Sequence, residues 1–199
     1  MDRYFHCIEN INIINDNNGL DYFIKTGVNI DFDINQKFIS WSIGASYYQK
    51  ALSATQIIEV CNNLSERIVL LGGVNEQDIG NQIVKESSHN KIYNFCGQLS
   101  LDESAYLIKK SYLVLSNDTG LMHIAASFKK PIISFWGCTK PSLGFYPYMN
   151  NHQCIQIVAN PLMSPCSKHG RSCKFQKEGC IKKIDSNVIF KSISEFISS

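Results

Sequence analysis

The sequence predicts an α/β domain built on a parallel sheet, and three observations support that prediction. Short runs rich in β-branched and aromatic residues alternate with longer stretches in which apolar residues recur at helical spacing. The short runs are mostly apolar on both faces, which is typical of strands covered by helices on both sides. The chain has 199 residues, of which 44% are hydrophobic, enough to bury one core. We therefore expect a single Rossmann-like, doubly wound α/β domain.

Each predicted element follows from its local sequence. Six strands are expected, at residues 37–43, 67–73, 91–96, 112–117, 131–137 and 153–158. Helices are expected at residues 53–64, 76–87, 101–110, 119–128 and 187–197. Ser53 and Ser100 stand where N-cap residues belong. Residues 1–36, with a short helix candidate and a turn-rich stretch, are predicted to wrap a domain formed by residues 37–199, which contains an irregular cysteine-containing loop at residues 137–183.

Charge and hydropathy exclude several classes of function. Lysine and arginine total 19 against 17 acidic residues, a net charge of +2, so no nucleic-acid partner is expected. No run approaches the roughly 18 apolar residues of a membrane-spanning helix, and the first residues lack the pattern of a signal peptide. We therefore expect a cytoplasmic protein in which most of the eight cysteines are reduced thiols.

The segment "SNDTG", which ends at Gly120, joins a predicted strand to a predicted helix. Ligands of open parallel sheets bind at such carboxyl ends, and the first amides of a helix attract phosphate. Gly120 leaves space for a phosphate, Thr119 adds a hydroxyl, and Asp118 is placed to cap the helix or to accept sugar hydroxyls. His123, one turn on, can donate to a phosphate or sugar oxygen. In the alternative interpretation, Asn117 and Asp118 only cap a structural helix and His123 bonds internally.

The longer stretch "DTGLMHIAASFKKPIISFWGCTKPSLGFYP", residues 118–147, resembles the donor-binding half of glycosyltransferase family 9, the ADP-heptose:lipopolysaccharide heptosyltransferases. That family's pattern is D-[TS]-G-x-x-H-x-A-A, a strand led by proline, and then G-x-T-x-P. "VLLGGVNEQDIGNQI" and "IGASYYQKALS" are similar to its earlier strand ends, although Ala51 and Ser53 replace two usual residues. The resemblance implies a GT-B enzyme with an acceptor-binding and a donor-binding Rossmann-like domain, and this chain is similar to the second.

The resemblance also implies roles for individual residues. Lys50 would neutralise the leaving diphosphate, so that no metal cofactor is required. Glu76 would accept two ribose hydroxyls, and Gly72 and Gly73 would let the backbone approach the base or ribose. Thr139 would lie close to the transferred sugar. The competing interpretations are a solvated surface lysine at position 50, an acid favoured by the helix dipole at Glu76, and ordinary turn glycines.

By the same resemblance, the chain is expected to be the donor domain of an inverting, heptosyltransferase-like enzyme that binds a nucleotide sugar, with ADP-heptose favoured. Its acceptor would be a lipopolysaccharide-type glycolipid, reached through an N-terminal domain that this sequence lacks and that would supply the general base. The enzyme would associate peripherally with the cytoplasmic face of the inner membrane. This chain alone would bind nucleotide with little turnover.

Three further functions remain as alternatives at this stage. One is a non-catalytic nucleotide-binding module, and another is a subunit that pairs with a separately encoded acceptor domain. The third, a hydride-transferring Rossmann enzyme, is disfavoured because no G-x-G-x-x-G follows the first predicted strand.

Three cysteines near the C-terminus, Cys166, Cys173 and Cys180, are spaced by seven residues, with His169 between the first two. Such donors can hold zinc, but the C-x-x-C pairs that make a zinc site specific are absent. The sequence therefore favours reduced structural thiols and leaves a metal site as the alternative.

Overall fold

The computed structural model of the chain describes residues 6–149, 154–160, 162, 165–175 and 177–198. One six-stranded, parallel sheet forms the centre. Its strands are β1 (Phe38–Ser42), β2 (Arg67–Leu71), β3 (Ile92–Asn94), β4 (Leu113–Asn117), β5 (Ile132–Trp136) and β6 (Cys154–Val158). Their spatial order, β3-β2-β1-β4-β5-β6, is that of a Rossmann-like sheet. All six predicted strands are confirmed, although Gln153, the expected start of the last one, lies outside the described residues.

The α-helices of the described residues are α1 (Ala54–Asn62), α2 (Gln77–Glu86), α3 (Leu101–Lys110), α4 (Gly120–Ser127) and α5 (Ser186–Ser198). They confirm the five predicted helices. Ser53 accepts from the Gln56 amide at 3.2 Å, and the Gln56 side chain accepts from the Ser53 amide at 2.9 Å. Ser100 and Glu103 form the same reciprocal pair at the start of α3. Both predicted N-caps are therefore confirmed.

The four inner strands are buried on both faces, as their apolar sequences predict, whereas the edge strands β3 and β6 are partly exposed. Alternate side chains of a strand point to opposite faces, so neighbouring residues enter different cores. Trp41 and Phe135 pack with residues of α1 and α5 on one face, whereas Phe38 and Trp136 pack with residues of α3 and α4 on the other. Truncating such a side chain to alanine typically costs about 3–5 kcal/mol, so both layers contribute strongly to the stability of the fold. Across the described part of the chain, no helix has the length and apolar character needed to cross a bilayer.

The N-terminal segment packs on the second of these faces. Tyr22 and Phe32 are among the partly buried residues that lie against its core. The Tyr22 hydroxyl donates to Asp102 Oδ1 in α3 at 3.0 Å, and the Arg67 guanidinium lies 4.4 Å from the centre of the Phe32 ring. A 3-10 turn, Glu9–Ile11, lies near the start of this segment, and the short helix expected there falls partly outside the described residues. Aromatic contacts therefore attach this segment to the sheet.

Between β5 and α5 the described chain is mostly irregular, as predicted. Besides β6, its regular pieces are 3-10 turns at Pro141–Leu143 and Cys180–Lys183. The Gln56 side chain in α1 donates to the carbonyl oxygens of Ile181 and Ile184, at 3.2 and 2.7 Å. These two bonds fasten the end of the irregular segment to the core.

Candidate functional site

A cleft lies at the carboxyl ends of β1, β2 and β4. The strand order reverses between β1 and β4, and open α/β sheets bind ligands at such a switch point. The cleft volume is about 400 Å³, within the range of small-molecule sites. Its walls mix polar and apolar residues: Ser42, Gly44, Ala45, Ser46, Gly72, Gly73, Asn75, Glu76, Leu99, Leu101, Ser104, Thr119 and Leu121.

A second cleft, of about 470 Å³, lies at the opposite edge of the sheet and is lined by residues that include Lys37, Arg67 and Tyr112. The Arg67 guanidinium there already donates to the Asp33 carbonyl oxygen at 2.9 Å and stacks on an aromatic ring. None of the site residues predicted from the sequence lines this cleft. The carboxyl edge is therefore the candidate site.

Helix α4 begins at the carboxyl-edge cleft without a side-chain cap. Thr119, its N-cap residue, has extended backbone angles (φ −149°, ψ 166°) and makes no capping hydrogen bond through its side chain. A Cβ atom added to Gly120 would meet no other atom within 4 Å, so the space beside the first turn is open. The first amides of a helix have no intrahelical acceptors and carry partial positive charge. The structure thus has the open helix start that an anion site requires.

Asp118 does not cap α4, contrary to one sequence expectation. Its Oδ2 atom lies 2.6 Å from Lys50 Nζ and accepts a hydrogen bond from Thr139 Oγ1 at 3.0 Å. The side chains of Lys50 and Asp118 are only 10% and 8% exposed, so the interpretation of Lys50 as a solvated surface lysine is wrong. A buried ion pair with a further hydrogen bond holds both charges in fixed positions. This network lies directly before the start of α4.

Asn117 anchors the loop that carries Lys50. Its Nδ2 atom donates to the carbonyl oxygens of Ile43 and Gly44, at 2.9 and 3.3 Å, and its Oδ1 atom accepts from the Leu52 amide at 3.4 Å. The 3-10 turn Tyr48–Lys50 is therefore fastened at both sides. Capping of α4 by Asn117, the other part of the alternative interpretation, is also wrong because these polar atoms serve the β1 loop.

Glu76 lines the cleft on the side of β2. Its Oε2 atom accepts from the Gly73 amide at 2.8 Å. A Cβ atom at Gly72 would lie 2.8 Å from Glu76 Cβ, and one at Gly44 would lie 3.0 Å from Glu76 Cδ. Glycines at positions 44 and 72 therefore let two strand ends close around this side chain. The carboxylate has further lone pairs with which to accept ligand hydroxyls.

His123 lies one turn into α4 and is half-buried. Burial lowers the pKa of His123 from its ordinary value of 6.5; the Asp118 carboxylate opposes this change, and the Lys50 ammonium adds to it. The imidazole is therefore neutral at pH 7 and has one N–H group to donate. His123 can donate a hydrogen bond to a ligand without contributing a charge.

Seven of the nine sequence-predicted residues fall into two groups, and the other two, Gly120 and His123, lie in the first turn of α4. Gly72, Gly73, Glu76 and Thr119 line the cleft. Lys50, Asp118 and Thr139 form the buried network, and Thr139, predicted to lie close to a transferred sugar, is 1% exposed with its hydroxyl bonded to Asp118. Thr139 therefore orients a neighbouring carboxylate in this structure.

Sequence reasoning missed several polar residues of the cleft: Ser42, Ser46, Asn75 and Ser104. Ser42 and Ser46 lie two residues on either side of Gly44, which follows β1. Their position at the end of a strand was the one local signal that they could line a site. Ser104 lies inside α3, where the helical pattern alone marks no ligand contact.

Four cysteines converge in the irregular segment. The sulfur atoms of Cys138, Cys166, Cys173 and Cys180 all lie within 4.8 Å of one another, and all eight cysteines of the chain are thiols. Burial raises the pKa of the Cys138 and Cys180 thiols to about 12. The exposed His169, which the sequence grouped with the later cysteines, is not a member of this cluster. Cys138 supplies the fourth thiol, and sequence spacing did not connect it with the others.

A parallel sheet in Rossmann order, with an open helix start that lines a cleft at its carboxyl edge, is an architecture found in α/β domains that bind phosphorylated ligands. The family model of glycosyltransferase family 9 (heptosyltransferase) matches residues 21–177. This match covers most of the chain, and the chain belongs to glycosyltransferase family 9.

Three relatives of known name are heptosyltransferases. Lipopolysaccharide heptosyltransferase 2 of Escherichia coli is 29% identical over 98 residues, which are 48% of this chain and 27% of that protein. Lipooligosaccharide heptosyltransferase 2 of Haemophilus ducreyi is 39% identical over 80 residues, 38% of this chain and 23% of that protein. The Campylobacter jejuni protein of the same name (serotype O:6) is 24% identical over 166 residues, 80% of this chain and 51% of that protein. The chain thus matches between about a quarter and half of the length of these relatives.

Solved structures share the fold. E. coli ADP-heptose LPS heptosyltransferase II gives a TM-score of 0.65 at 20% identity, over 80% of this chain and 46% of that chain. E. coli heptosyltransferase WaaC with ADP gives 0.64 at 17% identity, over 82% of this chain and 45% of that chain. The fold is therefore that of one half of a GT-B heptosyltransferase.

Proposed function

We propose that this chain is the donor-binding part of a heptosyltransferase-like enzyme and that the carboxyl-edge cleft binds a nucleoside diphosphate sugar, with ADP-heptose as the expected donor. One observation supports this above the others: in a family 9 chain, an uncapped helix start lines one cleft, and the residue directly before it, Asp118, forms a buried pair with Lys50. The named relatives act on lipopolysaccharide or lipooligosaccharide, which supports a glycolipid acceptor.

In this proposal the diphosphate docks at the start of α4. The amide groups that follow Thr119 donate to its oxygens, and the open space at Gly120 admits it close to the backbone. As the bond to the sugar breaks, negative charge grows on the leaving diphosphate, and fixed donors stabilise that charge more than they stabilise the intact donor. Neutral His123 contributes a further N–H group without adding charge.

Lys50 supplies positive charge to the same leaving group. Only one of its three ammonium hydrogens is needed for the contact with Asp118, so the others are available to phosphate oxygens. Asp118 and Thr139 act as positioning residues, because they hold the ammonium where the diphosphate arrives. A cation fixed in this way serves the role that a metal ion has in other transferases, and the proposed transfer step uses no metal.

Glu76 is proposed to bind the ribose. Its carboxylate lines the cleft and is held by the Gly73 amide, so it is oriented before the ligand arrives. Acidic residues at the corresponding edge of other Rossmann-like domains accept ribose hydroxyls.

The acceptor and the general base are proposed to come from a second domain. The solved heptosyltransferases are matched over only 46% and 45% of their lengths, which supports a further half in the complete enzyme. The chain by itself is then expected to bind nucleotide and to transfer little sugar. Because its acceptor would be a glycolipid, the complete enzyme is proposed to act at the cytoplasmic face of the inner membrane and to associate with that membrane peripherally.

Calorimetric titration tests this proposal. ADP and ADP-heptose should each bind the purified chain with one site, and NADH should not bind. Gly120→Val should weaken ADP binding by about tenfold to a hundredfold, or roughly 1.4–2.7 kcal/mol, because the added methyl groups occupy the phosphate position. A Cβ atom at this position meets no neighbour within 4 Å, and circular dichroism of the variant checks that the fold is kept.

Thr55→Val is the control for a valine near a helix N-terminus, because it places the same residue in the exposed first turn of α1, away from the cleft. It should bind ADP as the parent chain does. If the parent chain binds neither ADP nor ADP-heptose, or if Gly120→Val binds ADP normally, the diphosphate does not dock at α4 and the proposal is wrong.

A further inference from the structure

The four-cysteine cluster has the composition and size of a metal site. Cys138, Cys166 and Cys180 are at most 7% exposed, and Cys173 is half-buried. The sulfur of Cys173 lies 3.8 Å from that of Cys166 and 3.1 Å from that of Cys180. In a tetrahedral thiolate site the metal–sulfur distance of about 2.3 Å places the sulfurs about 3.8 Å apart, so small movements would complete the geometry.

Neither disulfide bonding nor hydrophobic packing accounts for four sulfurs in one place. A disulfide requires a sulfur–sulfur distance of about 2.05 Å, well below the separations found here. Hydrophobic packing does not explain the cluster either. Its three buried members are all cysteines, and among the described residues only Ala159 and Cys173 are partly buried hydrophobic residues packed against them. Four convergent thiols with few apolar neighbours, on segments with little regular structure, are typical of closed structural metal sites.

We propose that Cys138, Cys166, Cys173 and Cys180 bind one metal ion, Zn²⁺ or iron, in a closed tetrahedral site that fastens the irregular segment to the end of β5. Both metals take tetrahedral sets of four thiolates. The proposal takes the metal alternative that the sequence left open, replaces His169 with Cys138 as a ligand, and assigns the ion no part in the transfer step.

The cluster also fixes the segment that covers Lys50. Gly170 lies between two of the ligands along the chain, and a Cβ atom there would lie 2.6 Å from Lys50 Cδ and 3.1 Å from Thr139 Cγ2. Thr139 directly follows Cys138 and donates to Asp118. Two residues after Cys180, Lys182 Nζ donates to the Ala51 carbonyl oxygen at 2.5 Å. An ion at the four thiols would therefore hold the walls around Lys50 in place.

Metal analysis of the untagged chain tests the site directly. The chain is produced in medium that contains both zinc and iron, purified without chelators, and measured by inductively coupled plasma mass spectrometry. About one zinc or iron ion per folded chain is expected, and either metal supports the site. Replacement by Co²⁺ should give the visible and thiolate-charge-transfer bands of a tetrahedral thiolate complex. A folded chain with all four thiols titratable and no metal, or one with disulfides among these cysteines, would overturn the proposal.

Variants locate the site. Cys173→Ala should lose most of the metal, whereas Cys173→His should retain it, because zinc accepts three cysteines and one histidine. Cys154→Ser is the matched control: Cys154 is also half-buried, lies outside the cluster in β6, and its replacement should leave the metal content unchanged. Full metal content in Cys173→Ala, or loss of metal in Cys154→Ser, would contradict the assignment.

The expected effect of the Cys173 variants on ADP binding rests on the proposed function, whereas their expected metal content does not. If the donor proposal is correct, Cys173→Ala should weaken ADP binding several-fold and Cys173→His should restore it. If the parent chain binds metal but no ADP, only the donor proposal fails. If it binds ADP but no metal, only the metal proposal fails.

Discussion

Helices α1 and α3 begin in a different way from α4, although all three follow a serine or threonine. The first two close their own N-termini with reciprocal side-chain hydrogen bonds, through Ser53 with Gln56 and Ser100 with Glu103. Thr119, at the start of α4, makes no such bond. The difference leaves α1 and α3 closed by their own side chains, whereas the first amides of α4 have no acceptor from the Thr119 side chain, as the proposed donor site requires.

The two kinds of helix start are also held in place differently. The capped helices depend on local hydrogen bonds within their first turns. The start of α4 depends on long-range contacts, because Asn117 binds the β1 loop and Asp118 pairs with Lys50. An open helix start is therefore stable here because residues from other strands fix the backbone before it. Substitutions at and around these helix starts test this contrast.

The largest effect is expected from Asp118→Asn. This change removes the charge that balances buried Lys50, and breaking such a pair typically costs about 3–5 kcal/mol. The free energy of unfolding, measured by urea denaturation, should fall by about that amount. Adding Lys50→Met should recover part of the loss, since the unpaired charge is then gone.

Lys191→Ala is the control, because it breaks an ion pair that is exposed to solvent. The Lys191–Glu195 pair is 77% and 67% exposed, with 3.9 Å between its charged atoms. Its loss should change the unfolding free energy by less than about 0.5 kcal/mol. Equal effects of Asp118→Asn and Lys191→Ala would show that the ion pair does not hold the start of α4.

An intermediate effect is expected at the capped helices. Ser53→Ala and Ser100→Ala should each lower the free energy of unfolding by about 1 kcal/mol, because each leaves a helix amide without its acceptor. Thr119→Ala should lower it by no more than a few tenths, since no cap is lost, and should instead weaken ADP binding. If Thr119→Ala destabilises the unliganded chain as much as the two serine variants do, the contrast between the helix starts is wrong.

The smallest effect is expected from His123 and depends on pH. Because burial lowers the pKa of His123 in the folded chain below 6.5, the unfolded chain binds the proton more readily. The contribution of His123 to stability should therefore be constant above about pH 6.5 and should decrease as the pH falls below it. His123→Gln should flatten this slope in urea denaturation curves recorded from about pH 5 to 8. A slope identical to that of the parent chain would show that His123 titrates as it does in the unfolded state.

Much of the fold could be predicted because its signals are local. Apolar runs such as Leu113–Asn117 identify buried strands, and a serine followed three residues later by Gln56 or Glu103 identifies a helix start. Each of these patterns acts within one turn or one strand. The rules of open parallel sheets then place the ligand site at the carboxyl edge, whereas the order β3-β2-β1-β4-β5-β6 came from the structure.

The candidate site could be predicted only in part. Its position at "SNDTG" and the residues Gly72, Glu76 and Thr119 were recognisable from motif and family resemblance. The partners of Asp118 were not, because capping, which the sequence suggested, is a local pattern, whereas its bonds to Lys50 and Thr139 join residues far apart in the chain. Cys138 was missed as a member of the cysteine cluster for the same reason.

The sequence by itself determined the elements of the domain, the capped starts of α1 and α3, and the motif from which an anion site at α4 is predicted. Only the tertiary structure decided that α4 stays uncapped, that Lys50 is buried against Asp118, and that four cysteines meet. The physical reason is the range of the interactions. Periodicity and capping act between residues a few positions apart, whereas the ion pair and the cysteine cluster form only after the packed sheet brings distant loops to the same edge.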